Sequence, residues 1–159
     1  MAAMSQRTAE TVRALNELLR GELSAVETYT QALLAIQDDP DARQDLEECQ
    51  SSHQDRVLRL SAEIFDRGGQ PARASGAWGF FAGLIERSAT VLGARMAVGA
   101  LEAGEDHGLK EYQDLLPKLE LSARSIVSAD LYPQQVRTHS IISTLRTVMT
   151  TPPSVARYG

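Results

Sequence analysis

The sequence predicts an all-α, antiparallel four-helix bundle, and three observations carry that prediction. Apolar residues recur at steps of three and four along four long segments. Nothing alternates with period two over a useful length, so no strands are expected. The long segments are joined by short or moderate connections, which places consecutive helices antiparallel. Composition agrees: Ala, Leu, Glu, Gln and Arg abound while only 5% of residues are aromatic, a balance that favours helix over strand.

The first helix is expected from about Ser5 or Thr8 to Gln37, ended by Asp38-Asp39-Pro40. Asp41 is the expected N-cap of a second helix that lasts to about Arg67. Gly68-Gly69-Gln70-Pro71 then breaks the chain, and the Ala/Ser/Gly stretch to Gly79 reads as a connection. Phe80 to Leu92 reads as a short crossover helix between two hairpins, with Gly93 at its kink or end. A third long helix follows over about Ala94 to Leu116, stopped near Pro117. Lys118 to Asp130 is helix-compatible but weakly patterned. The fourth helix is placed at about Leu131 to Met149, with Pro133 tolerated in its first turn. Residues 1–149 are thus expected to form one bundle and residues 150–159 a C-terminal tail.

At 159 residues the chain is one domain's worth. A net charge of -5 without a basic stripe gives no reason to expect nucleic acid as a partner. Cys49 is the only cysteine, which excludes an internal disulfide and fits a reducing compartment. The N-terminus lacks a signal peptide's apolar run, and nothing approaches the roughly 20 apolar residues of a membrane span. The expectation is a cytoplasmic protein with no membrane partner.

Laying each helix on its own apolar stripe exposes four ionisable residues. In helix 1 the stripe runs Leu15, Leu18, Val26, Tyr29, Leu33, Ile36, and Glu22 fills the gap. In helix 2 it runs Leu46, Val57, Leu60, Ile64, with Gln50 and His53 in the vacancies. Helix 3 gives Val98, Leu101, Leu109, Tyr112, Leu116 around Glu105, and helix 4 gives Val136, Ile142, Leu145, Met149 around His139. A single Glu or His on an apolar face is most often a satisfied structural residue. One per helix, at mid-height, is a set that can satisfy itself or hold a metal, because an unpaired carboxylate there would cost several kcal/mol.

An internal repeat sharpens the set. Gly21, Glu22, Tyr29, Leu33 and Leu34 of helix 1 correspond to Gly104, Glu105, Tyr112, Leu115 and Leu116 of helix 3. A His follows in each half, His53 at 31 residues from Glu22 and His139 at 34 from Glu105. A duplicated hairpin predicts a pseudo-twofold bundle that brings the two Glu-His pairs together.

At these residues the chain resembles ferritin-like proteins. LNELLRGELSAVETY, with Glu22 and Tyr29, is similar to the first helix of bacterioferritin, and ECQSSHQDRVLRL, with His53, to its second. With GG-x-P after helix 2 and LEAGEDHGLKEY in helix 3, the overall pattern resembles the family called domain of unknown function 2383 over roughly Leu15 to Thr147. The resemblance implies a ferritin-like fold with metal ligands at Glu22, His53, Glu105 and His139. Iron, manganese or zinc suits that Glu₂His₂ set, and an oxidoreductase or stress-related role would follow.

The pattern also departs from a di-iron motif. Gln50 and Val136 stand where the bridging carboxylates belong, three residues before each His. Glu102 could supply a third oxygen or could be a solvated surface Glu. The competing reading is a non-enzymatic structural or interaction bundle without the metal, its Glu and His bonded to one another, with Gln50 as the bridging amide.

Other residues take blander readings. His107 should point away from the site, and Cys49 should be a small core or boundary residue. Tyr29 and Tyr112 are expected as core residues first, with support of the Glu residues or electron transfer as the lesser alternative. Trp78, Phe80 and Phe81 would favour a homo-oligomer contact if exposed, though packing over a bundle end is the simpler reading.

Overall fold

The computed structural model describes residues 4–76, 83 and 93–151, and every regular element among them is helical. The expected crossover helix over Phe80 to Leu92, the aromatic trio and the tail from Pro152 onward lie outside the described residues, apart from position 83.

Helix α1 spans Gln6–Ala35 and starts on the Ser5 cap, whose Oγ accepts from the Thr8 amide at 3.1 Å. Helix α2 spans Pro40–Asp66. Its N-cap is Asp39 rather than Asp41: Asp39 Oδ1 accepts from the Ala42 amide at 3.0 Å. The proline that reads as a stop is a start, because its missing N–H costs nothing in the first turn and its fixed φ suits a helix. Gly68, at φ 75°, closes α2 with its amide on the Phe65 carbonyl, a left-handed end that glycine adopts without strain.

The chain then climbs back along α1. Asn16 Nδ2 donates to the Gln70 carbonyl, the Ala72 amide donates to Asn16 Oδ1, and Ser75 Oγ donates to the Glu27 carboxylate. Helix α3 (Gly93–Leu115) therefore runs antiparallel to α1, so that Tyr29 faces Glu105 while Glu22 faces Tyr112. A 3-10 turn, Leu116–Lys118, follows.

The last rod is longer than the apolar pattern implies. Helix α4 (Leu121–Ile126), a π-helical turn (Val127–Leu131) and helix α5 (Tyr132–Thr150) follow without a break, and the junction residues Ile126, Val127, Leu131 and Tyr132 are all right-handed helical. The weakly patterned segment after Lys118 is thus mostly helix.

Two apolar clusters fill the bundle, one above the other. Tyr29, Leu46, Cys49, Val98, Leu101 and Ile142 belong to one; Leu15, Leu19, Leu60, Tyr112, Val127 and Leu131 belong to the other. On every rod the buried residues between the two are polar. Among the described residues no helix is long and apolar enough to cross a membrane.

Candidate functional site

The polar layer between the two apolar clusters is the candidate site. Glu22, His53, Arg56, Glu105, Gln135 and Thr138 meet there, each no more than 3% exposed. They come from all four rods: Glu22 from α1, His53 and Arg56 one turn apart on α2, Glu105 from α3, Gln135 and Thr138 from α5.

His53 lies between the two carboxylates, Nδ1 at 2.6 Å from Glu22 Oε2 and Nε2 at 2.9 Å from Glu105 Oε1. Each tyrosine reaches across to the other hairpin's Glu. Tyr29 donates to Glu105 Oε1 at 2.5 Å and Tyr112 donates to Glu22 Oε1 at 2.6 Å, which is the expected pseudo-twofold expressed in hydrogen bonds. Glu105 Oε2 accepts from Gln135 Nε2 and Thr138 Oγ1, both at 2.9 Å. Arg56 completes the layer: Nε donates to Glu22 Oε1 at 2.8 Å, Nη1 to Ser52 Oγ at 3.1 Å and Nη2 to Gln135 Oε1 at 3.0 Å, with Nη2 also 2.6 Å from His53 Nδ1. Among the described residues no buried side-chain nitrogen or oxygen lacks a partner.

The charges balance. Burial alone would raise the Glu22 carboxyl, but Arg56 and His53 outweigh it and hold it down at about 2. Glu105 moves the same way, burial being overcome by His53 and by hydrogen bonds from His53 and Tyr29. Burial and Arg56 press the His53 imidazole down, yet Glu22 and Glu105 prevail and its pKa is raised. A carboxylate oxygen on each nitrogen favours the doubly protonated ring and outweighs the Arg56 Nη2 that stands 2.6 Å from Nδ1. Two carboxylates thus meet an imidazolium and a guanidinium.

Of the four residues singled out by the sequence, the structure brings three together. His139 is corrected: it lies on the outer side of α5 with Nε2 at 2.6 Å from Asp106 Oδ1, away from the layer. The inward positions on α5 are one residue earlier, Gln135 and Thr138. Gln50 is not the bridging amide; its Nε2 donates to Thr30 Oγ1 and the Val26 carbonyl, tying α2 to α1, and Gln135 bridges instead. Glu102 pairs with Arg146 at 3.5 Å rather than turning inward. His107 is exposed and Cys49 is buried, as expected, with burial pushing the Cys49 thiol up to about 12.

Sequence reasoning missed Arg56, Gln135 and Thr138. Arg56 continues the α2 stripe one turn after His53, a signal available in the spacing but masked by the rule that arginines stay outside. Gly108 supplies a further clue: a Cβ there would stand 2.9 Å from Gln135 Nε2, so the glycine makes room for the amide.

A metal ion fits this donor set poorly. The imidazole spends its two diverging nitrogens on the two carboxylates, so no single point lies within ligand distance of a ring nitrogen and both Glu residues. The guanidinium already supplies positive charge at Glu22, where it would repel a divalent ion. Among the described residues no group of three or more His, Cys, Asp or Glu is arranged to hold a metal.

The family described as domain of unknown function 2383 matches residues 10–118, more than half of the chain, and the chain belongs to it. That match takes in Glu22, His53, Arg56 and Glu105 and stops before Gln135 and Thr138. No curated protein and no solved structure matches the chain.

Proposed function

We propose that this member of the family is a helical bundle with a structural or interaction role and no catalysis of its own, in which protein cations take the place that an ion would hold. The observation that carries this reading is Arg56, whose side chain has no exposed surface and whose donors end on Glu22, Ser52 and Gln135. A buried guanidinium is retained only where its charge is matched and its fork filled. With Arg56 and His53 present, Glu22 and Glu105 need no further cation, and every oxygen of the two carboxylates already has a partner.

The test is a divalent-ion panel. Protein purified without an affinity tag is analysed for bound metal and then melted with added Fe²⁺, Mn²⁺ or Zn²⁺. Substoichiometric metal and an unchanged Tm are expected. An ion bound only by the native state, at a hundred times its Kd, would add about 2.7 kcal/mol and raise Tm by several degrees. Such a rise would establish the second reading, a divalent-metal protein, which rests on the convergence of Glu22, His53 and Glu105 and would require Arg56 to swing aside. His139, held on Asp106, has no part in that reading.

A further inference from the structure

A cleft between α1 and α3 reaches the buried layer. Gly21, Ala25 and Gly104 leave room for it because they project little, and Tyr29, Tyr112 and Glu105 also line it. It leaves about 40 Å³ for the centres of water molecules, room for roughly three. Glu111 stands at its mouth, with Oε2 within 3.6 Å of where a Cβ on Gly21 would sit. Glu111 also lines a second, outer depression of about 310 Å³, shared with His107, Lys110, Asp114 and Lys118. One carboxyl therefore borders both spaces.

The two spaces differ in charge. On the cleft side α1 presents Glu22, and Glu17, paired with Arg20 at 2.7 Å, acts on Glu111 from one turn earlier on α1. On the outer side α3 and the turn after it present His107, Lys110 and Lys118, along with Asp114, which pairs with Lys110 at 2.5 Å. A neutral carboxyl is tolerated inward; a carboxylate is repelled by Glu17 and Glu22 and drawn to water and the lysines.

We propose that Glu111 is a proton-controlled plug of the α1–α3 cleft: as the neutral acid it lies over Gly21 and constricts the cleft, and as the carboxylate it turns into the outer depression and widens the way for water to the buried layer. Burial first, then Glu17 and Glu22 on α1 and Asp114 on the outer side, lifts the Glu111 carboxyl to about 7, so the turn falls within the range a cell visits. A group whose pKa moves from 4.5 to about 7 on closing can bias that closure by at most two to three factors of ten. Partial exposure makes about tenfold the expected size.

Exchange of the hydrogen-bonded protons of Tyr29, Tyr112 and His53 with water, followed by NMR from pH 5 to 9, reads the opening directly. In the native protein exchange should quicken about tenfold across the Glu111 titration, beyond the ordinary hydroxide-catalysed rise. Glu111→Gln, fixed as a neutral amide, should show the hydroxide-catalysed rise alone. Glu111→Ala should already exchange fast at pH 5. Coincident profiles for the native protein and Glu111→Gln would overturn the plug, as would slow exchange in Glu111→Ala at pH 5. The readout depends on the hydrogen-bonded protons alone and is decided separately from the ion panel.

Discussion

A guanidinium without exposed surface persists in a core only where its donors find acceptors and its charge an opposite one. Arg56 meets both conditions through Glu22, Ser52 and Gln135, and Glu22 depends on it in turn, taking Arg56 and Tyr112 on one oxygen and His53 on the other. Removing one member of a buried pair leaves the other charge unmatched, which costs about 3–5 kcal/mol. Arg56→Met should therefore lower the urea-unfolding free energy by that amount. Adding Glu22→Gln to it should restore a substantial part, because the amide oxygen still accepts from Tyr112 while the unmatched charge is gone. A loss of no more than about 1 kcal/mol from the single change, typical of a surface ion pair, would show that Arg56 is not the counter-ion of the layer.

At the scale of the element, the last rod explains both what the sequence reveals and what it hides. Its inward residues Ala123, Val127, Leu131 and Gln135 are spaced by four each time, twelve residues in all. An α-helix turns about 100° per residue, so twelve residues end about 120° past three full turns. The π-helical turn at Val127–Leu131 absorbs that excess and keeps Ala123 and Gln135 on one face. A spacing of four repeated three times reads as poor periodicity, which is why the segment after Lys118 looks weakly patterned. Beyond it the inward positions are Gln135 and Thr138, while the apolar neighbour Val136 is 42% exposed. Hydrophobicity thus draws the stripe onto Val136 and His139, one residue off. In α1 and α3 Leu and Val flank Glu22 and Glu105 on the true face, and the register is legible. Deleting Ala129, an exposed residue of the π turn, leaves eleven residues between Ala123 and Gln135, about three α-turns. The shortened protein should unfold cooperatively with stability within about 1 kcal/mol of the parent, because both ends keep their faces. Inserting a second alanine at the same place should cost more than about 3 kcal/mol, by turning core residues to solvent. Equal damage from deletion and insertion, measured by calorimetry, would refute the account of the π turn as a register device.

The whole molecule is two apolar half-cores clamped on a charged layer, so its stability should follow the protonation of that layer. The Glu22 carboxyl is held down at about 2 in the fold, against an ordinary value of 4.5. A depressed carboxyl contributes stability that is present above its unfolded value and lost as pH falls through the folded one, here between 4.5 and about 2, on the order of 3 kcal/mol. Glu105, also lowered, adds in the same direction. His53 works from the other side: its folded pKa is raised above 6.5, so its contribution is complete below 6.5 and is lost as pH climbs through the folded value. Tyr29 and Tyr112, raised well above 10 by burial and then by Glu105 and Glu22 respectively, keep their hydroxyl protons throughout. From these groups alone stability should be level between about pH 4.5 and 6.5 and descend on both sides. Glu111, raised to about 7, is a second source of loss from 4.5 up to about 7, so the alkaline limb has two owners. Urea unfolding at a series of pH values, on the native chain and on Glu111→Gln, separates them. The variant should keep the acid limb and the part of the alkaline limb that belongs to His53, while losing the part below pH 7 that belongs to Glu111. If the variant is flat from pH 6 to 9, His53 is not protonated between its two carboxylates, and the pairing of two anions with an imidazolium and a guanidinium is wrong.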